Sequence, residues 1–400
     1  MKIKSFEKIN LKNQTVLLRV DYNVPLKGHK IQDDSRIKET LPTLRLLLKK
    51  QAKIILISHL GRPEGKRNKA DSLEPIAKHL QKILGKTLKH PLLFLKNFQS
   101  ASDQKLLKNL QAGQIALLEN IRFWPEEEKN DLKFARQLTK LGQIYINDAF
   151  AASHRKHAST YALGKLLPAY GGLLIKNELE NLSPLLKKKF SNATLIVGGA
   201  KIDTKIGLIQ TFIPKTRHIL IGGGLANTFL KAQKYQIGES LVENDKLKTA
   251  QQIIAKFKNS ASQLALPSDA ITSIKLSNQS KTQTRKLNEI ETKEKILDIG
   301  PQSIEEFQKI ISKSKLIIWN GPLGVYEFKP FRQGTKKIAQ AIAQATKNGA
   351  TTILGGGDTL DALKVLKIST KKFTHCSTAG GAMLEFLEGK KLPGLEIIAA

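Results

Sequence analysis

Two short stretches decide the fold: TLIVGGAK at 194–201 and HILIGGG at 218–224. Each opens with branched apolar residues in a run too short for a helix and then breaks into glycine, which is how a buried strand ends in a ligand-facing turn. The same form recurs outward in both directions. In the first half the strand candidates are 15–20, 53–58, 92–95, 115–118 and 144–147. In the second they continue at 264–266, 316–319, 352–354 and around 373–376. Helix-period segments lie between them: Ile37, Leu41, Leu44 and Leu48 step by three or four, as do Leu73, Ile76, Leu80 and Ile83. Strand and helix in alternation describe parallel βαβ units.

A chain of 400 residues exceeds what one core supports. The expectation is therefore α/β, two Rossmann-like domains, each a parallel sheet flanked by helices and joined by a hinge helix. Pro168, Gly171 and Gly172 punctuate the chain before a helix-like run, so the boundaries are drawn at 1–172, a linker helix at 173–189, and 190–387. The segment 272–294 is polar and lysine-rich and reads as an exposed insertion in the second domain.

Hydrophobic residues at 40% and charged residues at 25% leave ample material for two cores and argue against large-scale disorder. Cys376 is the single cysteine, which excludes an internal disulfide and a thiolate zinc cluster and fits a reducing cytoplasm. Residues 1–13 lack the apolar core of a signal peptide, and no run approaches the roughly 18 apolar residues of a membrane span. A soluble, unexported, cytoplasmic protein is expected, without a membrane partner. The net charge of +32 permits two readings. A positive field attracts nucleic acid or small anions; lysines scattered through 43–53 and 246–258 are more simply a solvated helix face. Aromatic residues at 6% and the lack of a recognisable module speak against specific nucleic-acid binding.

Nearly every strand candidate ends in polar, charged or glycine residues. In the first half these clusters are RVDYN at 19–23, SHLGR at 58–62, ENIR at 119–122, and Asn147-Asp148 followed by His154 and Arg155. In the second they are GGAK at 198–201, GGG at 222–224, WNGP at 319–322, GGGD at 355–358 and STAGG at 377–381. Ligands bind open parallel sheets at the carboxyl ends of the strands, so each half owns one site. Arg36, His59, Arg62, Arg122 and Arg155 make the first an anion pocket, because guanidinium forks suit carboxylate and phosphate oxygens. Asp21 and Asn23 suit a substrate hydroxyl. Glycines admitting phosphate close to backbone, ahead of helix N-termini, make the second a nucleotide pocket. Asp358 is placed to bind magnesium, which takes one or two carboxylates plus phosphate oxygens.

Other features read blandly. His154 and His157 lack a third ligand for a metal, Gly85-Lys86-Thr87 has Leu80 where a P-loop needs its first glycine, and Arg19 and Arg45 read as surface or bridging charges.

Together RVDYNVP (19–25), SHLGRP (58–63), LLENIRF (117–123), GGAK (198–201), WNGPLGV (319–325) and GGGDT (355–359) resemble the signatures of the phosphoglycerate kinase family, in order and over essentially the whole chain. The resemblance implies a glycerate domain and a nucleotide domain facing one another across a cleft, a hinge that closes, a C-terminal tail from about 388 packed back on the first half, and a monomer. It implies that Asp21 and Asn23 hold the glycerate body, that His59, Arg62, Arg122 and Arg155 bind its 3-phosphate, and that Arg36 sits at the reacting carboxyl end. Lys201 would follow the moving phosphoryl group, aided by amides near Gly380 and Gly381. Lys205, Gly356, Gly357 and Thr359 would lie at the nucleotide phosphates, Asn320 and Glu327 at nucleoside and ribose, and Gly199, Ala200, Gly223 and Pro322 along the nucleotide pocket. Asp358 would carry magnesium. The implied small molecules are 1,3-bisphosphoglycerate, 3-phosphoglycerate, ADP and ATP.

Three departures stand out. Tyr22 replaces a phenylalanine, Ala151-Ala152-Ser153 replace a Gly-Thr-Ala string, and Ala379 replaces the first of three glycines. The last would strain its loop if positive φ were required there. A catalytically silent relative is the remaining alternative, against which Arg36, Lys201 and Asp358 all argue.

Overall fold

A computed structural model describes residues 1–187 and 190–400. Lys188 and Lys189, at the end of the expected linker helix, lie outside the described residues. The chain forms two compact units, Met1–Ser183 with Lys391–Ala400, and Pro184–Lys390.

The first unit is built on a six-stranded sheet in the order Leu93–Leu95, Ile115–Leu118, Lys53–Ile57, Thr15–Arg19, Ile144–Asn147, Ala169–Gly171, every pair parallel. Residues 16–18, 54–57 and 115–118 are all buried, because helices cover both faces; the strands are therefore continuous apolar runs rather than alternating ones. The last strand, at 169–171, falls where the sequence showed only proline and glycine punctuation. The helical face from Ile37 to Leu48 is divided between Ser35–Glu39 and Leu41–Lys49. Pro42 in the first turn of the second piece has no N–H to continue a ladder, and at the break Thr40 Oγ1 donates to the Ile37 carbonyl at 2.9 Å. The C-terminal residues belong to this unit: Lys4 N donates to Ile398 O at 2.9 Å and Asn147 Nδ2 to Gly394 O at 2.8 Å.

The helix Leu173–Lys187 begins at Gly172, where Asp148 Oδ1 accepts from the Leu174 N–H at 2.9 Å. Pro184 lies inside it, and the division between units falls immediately before that proline, at a missing rung of the hydrogen-bond ladder.

The second unit carries another six-stranded parallel sheet, ordered Gln263–Ala265, His218–Ile221, Ala193–Val197, Leu316–Asn320, Thr351–Gly355, His375–Ser377. In chain order that is 3-2-1-4-5-6, with the topological switch between Ala193–Val197 and Leu316–Asn320. The segment read as an exposed insertion is corrected here. Asp269–Ser273, Gln283–Lys286 and Lys295–Ile299 form an antiparallel three-stranded sheet. Its inner side packs Leu287 and Ile290 with Leu230 and Ile237. Lysines on the outer face hid that arrangement in the composition. Among the described residues no helix is long and apolar enough to cross a membrane.

Candidate active site

In the first unit the ends of two neighbouring strands are tied together by short side chains. Ser58 Oγ accepts from the Tyr22 N–H at 2.9 Å, and Asn23 Oδ1 accepts from the Gly61 N–H at 2.9 Å. Those ties fix the loop that carries Asp21 and Asn23. Arg36, from the helix Ser35–Glu39, reaches back to donate to Asp21 Oδ2 at 2.8 Å and to the Asn23 carbonyl at 3.2 Å. Arg122 donates to Gly61 O at 2.7 Å and lies 3.2 Å from Glu128 Oε1.

His59 sits at the centre of these cations. Burial holds its imidazole well below the usual histidine range, and the charges of Arg19, Arg122, Arg155 and Arg36 press in the same direction. Burial and Arg155 likewise push Arg122 down to about 10. Cations that repel one another at rest form a site that an anion stabilises. Asp21, Asn23, Arg36, His59, Arg122 and Arg155 are thus brought together. Arg62 is exposed, and its side chain joins no hydrogen bond or ion pair among the described residues.

Arg19 is corrected from a surface charge to a buried one, 1% exposed. Its Nε donates to Ser159 Oγ at 2.8 Å and its Nη2 lies 3.2 Å from His59 Nδ1. Its position at the end of the first strand was the signal that could have found it.

In the second unit the site is made of backbone at the sheet's switch point. Gly198 N donates to Asn320 O at 2.9 Å and Gly199 N to Pro322 O at 2.7 Å. A methyl on Gly198 would be driven into the Gly321 and Pro322 carbonyls. Gly199, Gly223 and Gly356 all adopt positive φ. Beyond them opens a cavity of about 550 Å³. Gly199, Ala200, Gly223, Pro322, Glu327 and Asp358 line it, as the sequence suggested. Its apolar wall was missed: Leu241, Leu276, Leu287 and Ile296 stand along it with Tyr326. Most of that wall comes from the antiparallel sheet and the loops beside it.

Several nucleotide candidates support the pocket from behind. Asn320 is buried, donates from Nδ2 to Gly355 O at 2.8 Å and accepts at Oδ1 from Lys205 Nζ. Thr359 Oγ1 donates to Gly355 O at 2.8 Å and accepts from Gly321 N at 2.7 Å. Lys205 is pushed down to about 8 by burial. It occupies the N-cap of Ile206–Phe212. Lys201 lies exposed in the preceding loop.

Gly357–Val365 and Gly223–Ala232 begin at the strand ends, so their first amides lack intrahelical acceptors. Asp358 stands exposed in the first turn of Gly357–Val365, in no hydrogen bond or ion pair among the described residues. Among the described residues no three His, Cys, Asp or Glu side chains gather there into an all-protein metal cage. One open carboxylate beside free helix amides fits a magnesium ion shared with phosphate oxygens. Gly380, with φ of 56°, caps Gly381–Leu387, whereas Ala379 is absent from the residues at positive φ. The strain anticipated at Ala379 therefore does not arise, because the left-handed position falls one residue later.

The sequence matches the protein-family model described as phosphoglycerate kinase over residues 6–390. The phosphoglycerate kinase of Dictyoglomus turgidum is 44% identical over 389 residues, covering 97% of this chain and 96% of its own. That of Pelotomaculum thermopropionicum is 42% identical over 395 residues, 99% and 98% of the two chains. Among solved structures, phosphoglycerate kinase from Coxiella burnetii aligns with a TM-score of 0.87 at 39% identity, over 99% of each chain. The enzyme from Pyrococcus horikoshii aligns with a TM-score of 0.86 at 29% identity, over 99% of this chain and 98% of its own. The match runs through both units and all the strand-end clusters, and the chain belongs to the phosphoglycerate kinase family of glycolytic phosphotransferases.

Proposed function

We propose that the chain moves a phosphoryl group reversibly between the carboxyl phosphate of 1,3-bisphosphoglycerate and magnesium ADP, giving 3-phosphoglycerate and ATP. The observation that carries this reading is the presence in one chain of a guanidinium-lined anion pocket and a glycine-floored pocket with an apolar wall. The first suits a small molecule with charge at both ends; the second suits a nucleotide.

In this reading Asp21 and Asn23 orient the glycerate hydroxyl, and His59, Arg62, Arg122 and Arg155 take the 3-phosphate. Arg36, held by Asp21 at 2.8 Å, is aimed at the reacting carboxyl end. Lys201 and the Gly380 and Gly381 amides neutralise charge on the moving group. Lys205 and the first amides of Gly357–Val365 hold nucleotide phosphates, Glu327 meets the ribose, and the leucine wall covers the base. Asn320 then acts by steadying Lys205, since both its polar side-chain atoms are already engaged. Magnesium, held by Asp358 and phosphate oxygens, supplies further charge neutralisation. The acceptor is already an ionised carboxylate or phosphate, so no general base is needed and catalysis is alignment plus electrostatics.

In-line transfer requires the two ligands to meet, which we assign to bending about the proline-interrupted helix Leu173–Lys187. A monomer in the cytoplasm completes the proposal. A coupled assay with 3-phosphoglycerate and magnesium ATP at fixed ionic strength tests it, alongside Lys201→Ala and Asp358→Asn. Activity that collapses in both variants supports the reaction and the nucleotide site together; a folded, ATP-binding but inactive parent points to a silent relative.

A further inference from the structure

The anion pocket rests on a buried chain of side chains that the proposed reaction does not itself use. Glu127, fully buried in the turn Pro125–Glu128, accepts from Ser159 Oγ at 2.6 Å through Oε1 and from the Ser159 N–H at 2.8 Å through Oε2. Ser159 Oγ, having donated its proton to Glu127, accepts from Arg19 Nε at 2.8 Å. Arg19 also donates from Nη1 to the Val20 carbonyl, and its Nη2 lies 3.2 Å from His59 Nδ1. Arg19 has no lone pair to offer, so the contact with His59 has one polarity: the guanidinium donates and Nδ1 accepts. An imidazole that accepts at Nδ1 carries its proton on Nε2.

We propose that Glu127, Ser159 and Arg19 are positioning residues that fix His59 as its Nε2–H tautomer, giving the anion pocket an oriented N–H donor in place of a titrating cation. This rests on reading the pocket as the site of the phosphorylated glycerate. The groups that face His59 agree with it. Asp21 Oδ1 lies 3.9 Å from Nδ1, beyond hydrogen-bond reach, and the same carboxylate is engaged by Arg36. Arg19, Arg122, Arg155 and Arg36, from four separate segments, all disfavour a second proton on the ring. The Glu127 carboxylate offsets the Arg19 charge that would otherwise stand buried and uncompensated. Its other near neighbour, His157 Nδ1 at 3.9 Å, is itself pushed down to about 3 by burial and the same arginines.

The test is long-range proton–nitrogen NMR on the full-length protein with labelled histidine, without ligand, from about pH 5.5 to about pH 8, spanning the ordinary histidine value of about 6.5. His59 should show a bare Nδ1 and a protonated Nε2 throughout. A proton on Nδ1, or a doubly protonated ring near neutrality, overturns the proposal. Kinetics supply the second readout. In Glu127→Gln and Ser159→Ala the KM for 3-phosphoglycerate should rise roughly tenfold, with the KM for ATP unchanged, and the same NMR should show a fraction of His59 carrying its proton on Nδ1, because Arg19 is no longer held to donate there. Ser159→Thr, which keeps the hydroxyl, should restore the parent's single tautomer. Variants whose His59 tautomer matches the parent's would refute a positioning role. Because the NMR needs no turnover, an inactive parent with the expected tautomer would reject the proposed reaction and leave this inference standing.

Discussion

The two units build their candidate anion sites by opposite means. Counted from the sequence, the first holds 34 lysines and arginines against 18 acids and the second 32 against 16, so their net charges are equal. Their pockets are not alike. In the first, side chains do the recognising: several guanidinium groups crowd one buried imidazole, and the strand-end loops serve to hold them. In the second, the backbone does it. Glycines at the switch point let carbonyls and amides pack close, one half-buried lysine backs them, and a leucine wall closes the cavity. A pocket made of charge is strained when empty and tolerates changes of shape; a pocket made of backbone is relaxed when empty and tolerates almost no added atom.

That contrast can be broken by experiment. The largest effect is expected from Arg36→Ala, which removes a cation from the reacting end. Turnover should fall roughly 10²–10³-fold, the loss typical of one transition-state charge partner, while ADP binding measured by calorimetry stays as in the parent. Equal losses in both would contradict the assignment of two separate sites.

A matched pair sharpens the comparison at the next level. Arg122→Met should raise the KM for 3-phosphoglycerate roughly 10–100-fold yet change stability by about 1 kcal/mol or less, because relief of the Arg155 repulsion offsets the lost bond to Gly61. Gly198→Ala should instead cost about 1–3 kcal/mol by overpacking and weaken nucleotide binding with it. Thermal melts and ADP titrations on both variants check this; an Arg122→Met protein as unstable as Gly198→Ala would erase the distinction.

Lys205 makes a smaller, pH-dependent prediction. Its folded value of about 8 lies below its ordinary 10.5, so between those limits the unfolded chain binds the proton that the folded one lacks. Stability contributed through this group therefore rises with pH across that window. Nucleotide phosphates favour the charged amine, so ADP affinity should fall as pH climbs above about 8, by at most roughly tenfold per pH unit. Lys205→Met should flatten both dependences.

The smallest effect belongs to Asp148→Asn. Burial pushes Asp148 up to about 7 from 3.8, so across that range the folded state holds a proton the unfolded state has lost and stability declines as pH rises. Asparagine keeps the acceptor for the Leu174 N–H and removes the charge. Above pH 7 the variant should melt on the order of a few °C higher, without the parent's slope; an unchanged slope would show that Asp148 is not the group responsible.

Much of this was legible from the chain. The strands at 15–19, 53–57 and 115–118 were found within a residue of their ends, and the clusters that follow them hold most of both pockets. What escaped notice had no signature of its own. Residues 272–294 look like an insertion because the sheet they join turns lysines outward, and within that stretch Leu287 and Ile290 are the buried apolar residues. Asn320 and Thr359 look like ligand contacts because amide and hydroxyl side chains at strand ends often are; here their hydrogen bonds are taken up by Gly355, Gly321 and Lys205.

By itself the sequence determined the α/β class, the two halves and the strand-end location of the chemistry. A strand buried on both faces must be apolar throughout, and only its carboxyl end is free to carry function. The tertiary structure alone decided that Arg19 is buried against Ser159 and His59, that Lys205 loses proton affinity, and that an antiparallel sheet walls the glycine-floored pocket. Each of these depends on residues 40 to 140 positions apart coming within hydrogen-bond reach or on a face losing its water, and local periodicity carries no record of either.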